Sequence, residues 1–253
     1  MKSKEYMKKS KSVFLILSCF LFAGSAFAAS NMSIDTSRME AVQKNSGMSV
    51  NKPEFNTDEY AKKYKKVTKD GAVMQALEVL QTVNLGKYSY NAIMGNNITG
   101  KPIKIEFKNL AEINPQYASF EALGWRKADR FKSQSITDTS YNLYIYINEK
   151  HRGAPPEAIA AVLAHEAIHQ DSLSSLNEET YAWTLEAGVW MKLAEKNPNV
   201  INDASPLVTR ENMLKKLYEK GDYTNKYIKK AVFTNPGYKD LPTRSPGFED
   251  EDL

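Results

Sequence analysis

Pro155-Pro156-Glu157-Ala158-Ile159-Ala160-Ala161-Val162-Leu163-Ala164-His165-Glu166-Ala167-Ile168-His169-Gln170 reads as one helix carrying both apolar and reactive side chains. Proline is tolerated in a first helical turn, and Glu157 suits the positive end of the helix dipole. Ala158, Ile159, Val162, Leu163, Ala167 and Ile168 make most of its surface apolar, which predicts a buried core helix running to about Gln170. Two histidines and a glutamate in such a helix need partners, because burying polar groups without them is costly. Residues four apart share a helix face. His165 and His169 therefore point the same way and can hold one metal ion. Glu166 lies on the adjoining edge, in reach of a water on that ion without being a ligand. This is the physical content of H-E-x-x-H. The chain has three histidines, and two stand in this motif. A chance match at this composition is on the order of a few per thousand chains of this length.

Working outward, residues 141–148 are the clearest strand, dominated by aromatic and β-branched residues. It is either an interior strand or one that can pair with an extended peptide. A turn at 98–102 opens a second strand at 103–107, where apolar and polar residues alternate. Val73, Ala76, Leu77, Leu80 and Val83 keep helical spacing and predict a helix over 72–83, closed by Asn84-Leu85-Gly86. The stretch 110–130 is ambiguous, with Gly124-Trp125 read as a turn or hairpin. After the motif come a loop at 172–177, a helix over 178–195 stopped by Asn197-Pro198-Asn199, and a helix over 206–219. There is no internal repeat. The expected fold class is α+β: a small twisted sheet packed on the motif helix, with a helical remainder.

The ends carry other signals. Lys2, Lys4, Lys8, Lys9 and Lys11 precede an apolar run from Val13 to Phe22 and then Ala26-Phe27-Ala28. That is the pattern of a secretory signal peptide over residues 1–28, cut after Ala28. The apolar run is about half of the roughly 20 residues a spanning helix needs, so no stable membrane span is expected after cleavage. An uncleaved anchor and a lipoprotein acylated at Cys19 are the alternatives. Residues 29–70 read as a flexible N-terminal segment, either a linker or a pro-segment. Within it, 58–69 is a charged stretch read as a solvated helix, with Lys62, Lys63, Lys65 and Lys66 on its solvated face. Residues 71–234 form the expected catalytic domain. Residues 235–253, with Pro236, Pro242, Pro246 and an acidic end, read as a loosely ordered tail.

Taking five lysines and one glutamate away with the signal leaves 29 basic and 29 acidic residues. A neutral chain gives no reason to expect a nucleic-acid partner. Cys19 is the sole cysteine, so the processed chain has no thiol nucleophile, disulfide or thiolate ligand. Any metal must be held by nitrogen and oxygen. The sequence does not set the oligomeric state.

A strand at 141–148, then His165 to His169, then Asn177-Glu178-Glu179-Thr180-Tyr181-Ala182-Trp183 resemble the core of the zincin metallopeptidases. The resemblance covers roughly residues 100–195. The last segment is similar to the Glu-x-x-Ala pattern of gluzincin-like enzymes, whose glutamate is the third zinc ligand. The longer metzincin motif is absent, since Ser172 stands where its glycine would be and no third histidine follows. The resemblance implies a zincin-like fold with Zn2+ on His165, His169 and Glu179, and Glu166 as general base acting on a peptide or protein substrate. Glu178 and Glu186 stay open as alternative third ligands, and Glu186 also as a residue that orients a ligand. His151 is read as a surface-loop histidine, with oxyanion or substrate binding as the alternative. Tyr144, Tyr146 and Tyr181 could donate to an oxyanion, and none is assigned. The expected function is a secreted or periplasmic zinc hydrolase, a peptidase. An inactive zincin-like binding module and a cell-wall amidase using the same site are the alternatives.

Overall fold

Tyr64 and Val67 are apolar residues in an otherwise lysine-rich stretch, and burying them orders it. The computed structural model describes residues 57–128 and 141–249. Helix α1 (Thr57–Tyr64) ends on the wholly buried Tyr64, and the Val67 carbonyl accepts from Ile105 N at 2.8 Å. The flexible segment expected over 29–70 therefore does not extend through 57–70. The charged residues hid the two apolar anchors. Residues 29–56 and the signal peptide expected over 1–28 lie outside the described residues.

Asp70 caps α2 (Gly71–Leu80), its carboxylate accepting from Ala72 N at 2.9 Å. Val73, Ala76, Leu77 and Leu80 are buried on it, as their spacing predicts. A 3-10 turn at Asn84–Gly86 leads into α3 (Lys87–Met94). Sequence periodicity missed α3 because its buried side is only Ser89, Ala92 and Ile93. Next come β1 (Lys104–Lys108), the single turn α4 (Leu110–Ile113), β2 (Ala122–Ala128) and β3 (Tyr141–Asn148).

The sheet order is β1-β3-β2. Strand β3 pairs parallel with β1, Ile145 opposite Ile105, and antiparallel with β2, Ile145 opposite Gly124. Both edges of β3 are thus filled, and it is interior: an added peptide strand has no place on it. Gly124 and Trp125 lie within β2 rather than in a turn, and Trp125 faces Tyr144 across the ladder. The aromatic cross-strand pair outweighs the turn signal of the glycine. Leu143, Ile145 and Ile147 face the main core. Tyr144 and Tyr146 face the other side, toward Trp125 and a smaller cluster of Leu110, Tyr117, Phe120 and Leu123.

Helix α5 (Pro156–Glu166) buries every residue from Ala158 onward and packs between α2 and the longer α6 (Leu176–Lys196). It stops at Glu166, four residues before the expected end. Ala167 N still reaches Leu163 O at 3.2 Å, but Ile168 N turns to His165 O at 3.0 Å, a tighter closure. The Gln170 amide then caps Ala167 O at 3.0 Å. Helices α7 (Pro206–Lys220) and α8 (Lys226–Phe233) complete the helical part, α8 being the second helix that sequence periodicity missed. The fold is α+β, a three-stranded sheet packed against several helices that include α5 and α6.

Residues 235–249 are not a loose tail. Tyr238 is fully buried, with its ring edge-on to Trp183 and its hydroxyl accepting from Trp183 Nε1 at 3.2 Å. Pro242 O accepts from Leu176 N at 2.9 Å and Thr243 O from Asn177 N at 3.1 Å. The first N–H groups of a helix lack acceptors within it, and here the end of the chain supplies them. That pairing leaves no mark in composition. Among the described residues no helix is long and apolar enough to cross a membrane.

Candidate metal centre

The last turn of α5 presents His165, the turn beyond it His169, and the first turn of α6 Glu179. Ser175 sets the position of α6, its hydroxyl accepting from Glu178 N at 3.1 Å. The early end of α5 does not separate the histidines. Their rings lie 5.1 Å apart between centroids, inclined at 60°. His165 Nε2 is 3.8 Å from Glu179 Oε2, and His169 Nε2 is 3.7 Å from Glu179 Oε1. One ligand atom from each of the three residues falls within 4.8 Å of the others. Tetrahedral ligands at about 2.0–2.2 Å from a zinc ion stand roughly 3.4 Å from one another, so small side-chain shifts close this set on an ion.

The residues fit a metal on a second count. His165, Glu166, His169 and Glu179 are 2, 4, 6 and 0% exposed. His169 Nε2, both oxygens of Glu179 and Oε2 of Glu166 are buried without a hydrogen-bond partner. Unpaired buried polar atoms are costly, and a cation with its water would satisfy this group together. Charge points the same way. Burial alone would lower the pKa of His169, but Glu179, Glu178 and Glu166 push it up to about 10. A surplus of buried carboxylates thus holds a proton where a cation could sit. Burial also raises the Glu166 carboxyl, against the pull of His165 and His169.

Each histidine is held from behind. His165 Nδ1 meets Glu186 Oε2 at 3.0 Å, and His169 Nδ1 meets Glu178 Oε1 at 2.9 Å. With these Nδ1–H groups donating to carboxylates, both Nε2 atoms turn toward Glu179. Of the three glutamates open in the sequence, Glu179 lies between the histidines. Glu178 and Glu186 lie behind one histidine each.

Arg210 and Glu211 of α7 are the components that sequence reasoning missed. Arg210 donates to Glu186 through both terminal nitrogens, at 3.1 Å from Nη2, and to Glu211 at 2.7 Å. Burial would raise the Glu186 carboxyl, yet Arg210 and His165 hold it down at about 2. Burial pushes its neighbour Glu211 well up. A signal was present: Arg210 and Glu211 follow Leu207 by three and four and precede Leu214 by four and three, so both fall on the apolar face of α7. Replacing Arg210 with leucine strands the buried Glu186 carboxylate. The expected loss is about 3–5 kcal/mol in urea unfolding, and a loss under about 1 kcal/mol would mean that the guanidinium does not hold the network.

His151 is not a surface histidine. It is buried, with both ring nitrogens unpartnered. Burial, then Lys150 and Arg210, lower its pKa to about 4. The unfolded chain therefore takes up a proton near pH 6.5 that the folded chain refuses until about pH 4. His151 contributes stability above pH 6.5 that disappears as pH falls through this window, up to about 3 kcal/mol. In His151→Phe the slope of stability against pH between 6.5 and 4 should flatten; an unchanged slope would assign the acid sensitivity elsewhere. Tyr144 and Tyr146 stack on each other at 5.7 Å on the sheet, and Tyr181 packs on Phe248 at 5.7 Å.

The cluster of His165, His169 and Glu179 could chelate a metal ion. No family model, curated protein or solved structure matches this chain. Its chemistry is therefore argued from its own residues. They give a buried His/His/Glu cluster, a neighbouring carboxylate with a free oxygen, and a carboxylate behind each imidazole.

Proposed function

We propose that the protein is an exported zinc-dependent hydrolase that cleaves peptide bonds. The observation that carries this reading is the pair of imidazole nitrogens facing the Glu179 carboxylate at 3.7 and 3.8 Å, with the unpartnered Glu166 Oε2 beside them. His165, His169 and Glu179 would hold the ion, leaving its fourth position for water or substrate. Zinc bound there would supply Lewis acidity, lowering the pKa of a water and polarising a carbonyl. Glu166 would act as the general base that takes up a proton from water and returns it to the leaving amine, a task suited to a carboxyl raised by burial. Glu186 and Glu178 keep the imidazoles oriented, and Arg210 keeps Glu186 ionised. The pattern around Ala26-Phe27-Ala28 supports export with cleavage after Ala28.

A second reading has a specific observation in its favour. The ligands are 0–6% exposed, which also suits a closed site in a zincin-like binding protein without activity. The unpartnered Glu166 oxygen favours the hydrolase, since a closed site has no use for a base. The test is elemental mass spectrometry on residues 29–253 beside His165→Ala/His169→Ala, followed by protein, peptide and peptidoglycan substrates. About one zinc per chain, lost in the double variant, with cleavage of peptides, is the expected outcome. Zinc with cleavage of none of them would favour the binding protein. Cleavage of peptidoglycan alone would make it a cell-wall amidase. No zinc in the wild-type chain would end the metal reading.

A further inference from the structure

The outer side of the metal cluster is built by the end of the chain. The first four N–H groups of α6 belong to Leu176, Asn177, Glu178 and Glu179. Their acceptors are Pro242 O at 2.9 Å, Thr243 O at 3.1 Å, Ser175 Oγ at 3.1 Å and Ser175 O at 3.0 Å. Two of the four come from residues 242–243, and the turn they secure carries both Glu178 and Glu179.

Ser245 makes a second connection. Its hydroxyl is buried, 2.9 Å from Ser175 Oγ and 3.3 Å from Glu178 Oε2. One proton arrangement satisfies every group. Ser175 Oγ accepts from Glu178 N and donates to Ser245. Ser245 donates to Glu178 Oε2, and His169 Nδ1 donates to Oε1 of the same carboxylate. The Glu178 carboxylate is thus gripped from both sides. A third connection lies at Phe248, whose carbonyl accepts from Asn177 Nδ2 at 3.2 Å while its ring packs on Tyr181. Gly247 and Phe248 also wall a cleft of about 390 Å3 that reaches Ile168, Gln170 and Glu178.

We propose that residues 242–248 are a strap belonging to the metal centre, in which Ser245 positions Glu178, and through it His169, while the Pro242 and Thr243 carbonyls position the turn bearing Glu179. This rests on the metal-binding reading above. The contacts give it thermodynamic content. If strap closure favours the ion, the ion favours strap closure by the same factor.

The test uses the full chain and two readouts. Zinc affinity is measured by competition with a chromogenic chelator for wild type, Ser245→Ala and Ser245→Thr. Loss of a group that orients a ligand typically weakens a site about 10–100-fold, so Ser245→Ala should fall in that range while Ser245→Thr stays within about threefold of wild type. The second readout needs no variant: trypsin cleavage after Arg244, exposed on the strap, should slow about tenfold or more when zinc is added. Unchanged affinity in Ser245→Ala, or cleavage indifferent to zinc in a chain that binds it, would overturn the strap. Wild type that binds no zinc would instead sink the metal reading beneath it.

Discussion

Glu166→Gln is expected to bind zinc as wild type does and to lose about 10^2- to 10^4-fold in kcat, the usual share of a general base. The amide keeps the shape and burial of the side chain but cannot take a proton. The Glu166 Oε2 atom has no partner in the fold, so the substitution breaks no structural hydrogen bond there, and thermal stability should be unchanged or higher. Replacing a buried carboxyl by an amide also removes one acid from the three that hold His169 protonated. Activity within threefold of wild type, with zinc bound, would show that another group moves the proton.

Glu179→Ala carries the second large effect, and its signature has two parts. Zinc affinity should fall by more than the roughly 10–100-fold expected for Glu178→Ala, which removes only a carboxylate behind His169. The metal-free protein should be no less stable than wild type. Both Glu179 oxygens are buried without a hydrogen-bond partner, a cost that is expected to offset the attraction of the carboxylate for His169 in the metal-free fold. Thermal unfolding with and without zinc checks both parts. Wild type should gain stability on adding zinc, and Glu179→Ala should not. A variant stabilised by zinc as strongly as wild type would remove Glu179 from the ligand set.

The legible part of this fold was where one residue pattern had one physical outcome. Tyr141–Asn148 is a strand with the bounds its composition predicts, and the apolar surface of 158–168 did mark a core helix. His165 and His169 stood out because metal chemistry demands few residue types at fixed spacing, whereas Glu179 came only from the resemblance to the Glu-x-x-Ala pattern, with Glu178 and Glu186 open beside it, and the fold brings the three together. What stayed hidden depends on the partner rather than on the residue. Nothing in Tyr141–Asn148 says that β2 and β1 flank it, and nothing local says that helix geometry ends at Glu166 rather than Gln170. His151 looks like any loop histidine until the fold buries it, and burial, with Lys150 and Arg210 adding to it, depresses its pKa. Ser245 stands between Arg244 and Pro246 in a stretch that composition alone assigns to solvent. Arg210 and Glu211 could have been flagged, since two charges on the apolar face of a helix need a buried counter-charge.

The pairing of Leu176 and Asn177 with Pro242 and Thr243 also has a consequence in time. A chain grows from its N-terminus, so α5 and most of α6 are made long before the residues that finish the first turn of α6. Until those last residues arrive, the histidines exist but the glutamate turn between them is unpinned. If the cluster holds a metal, a nascent chain that lacks residues 242–248 is expected to hold it more weakly than one that has them. The first turn of α6 can be completed only once residues 242–243 have been made, well after the helix whose start they cap.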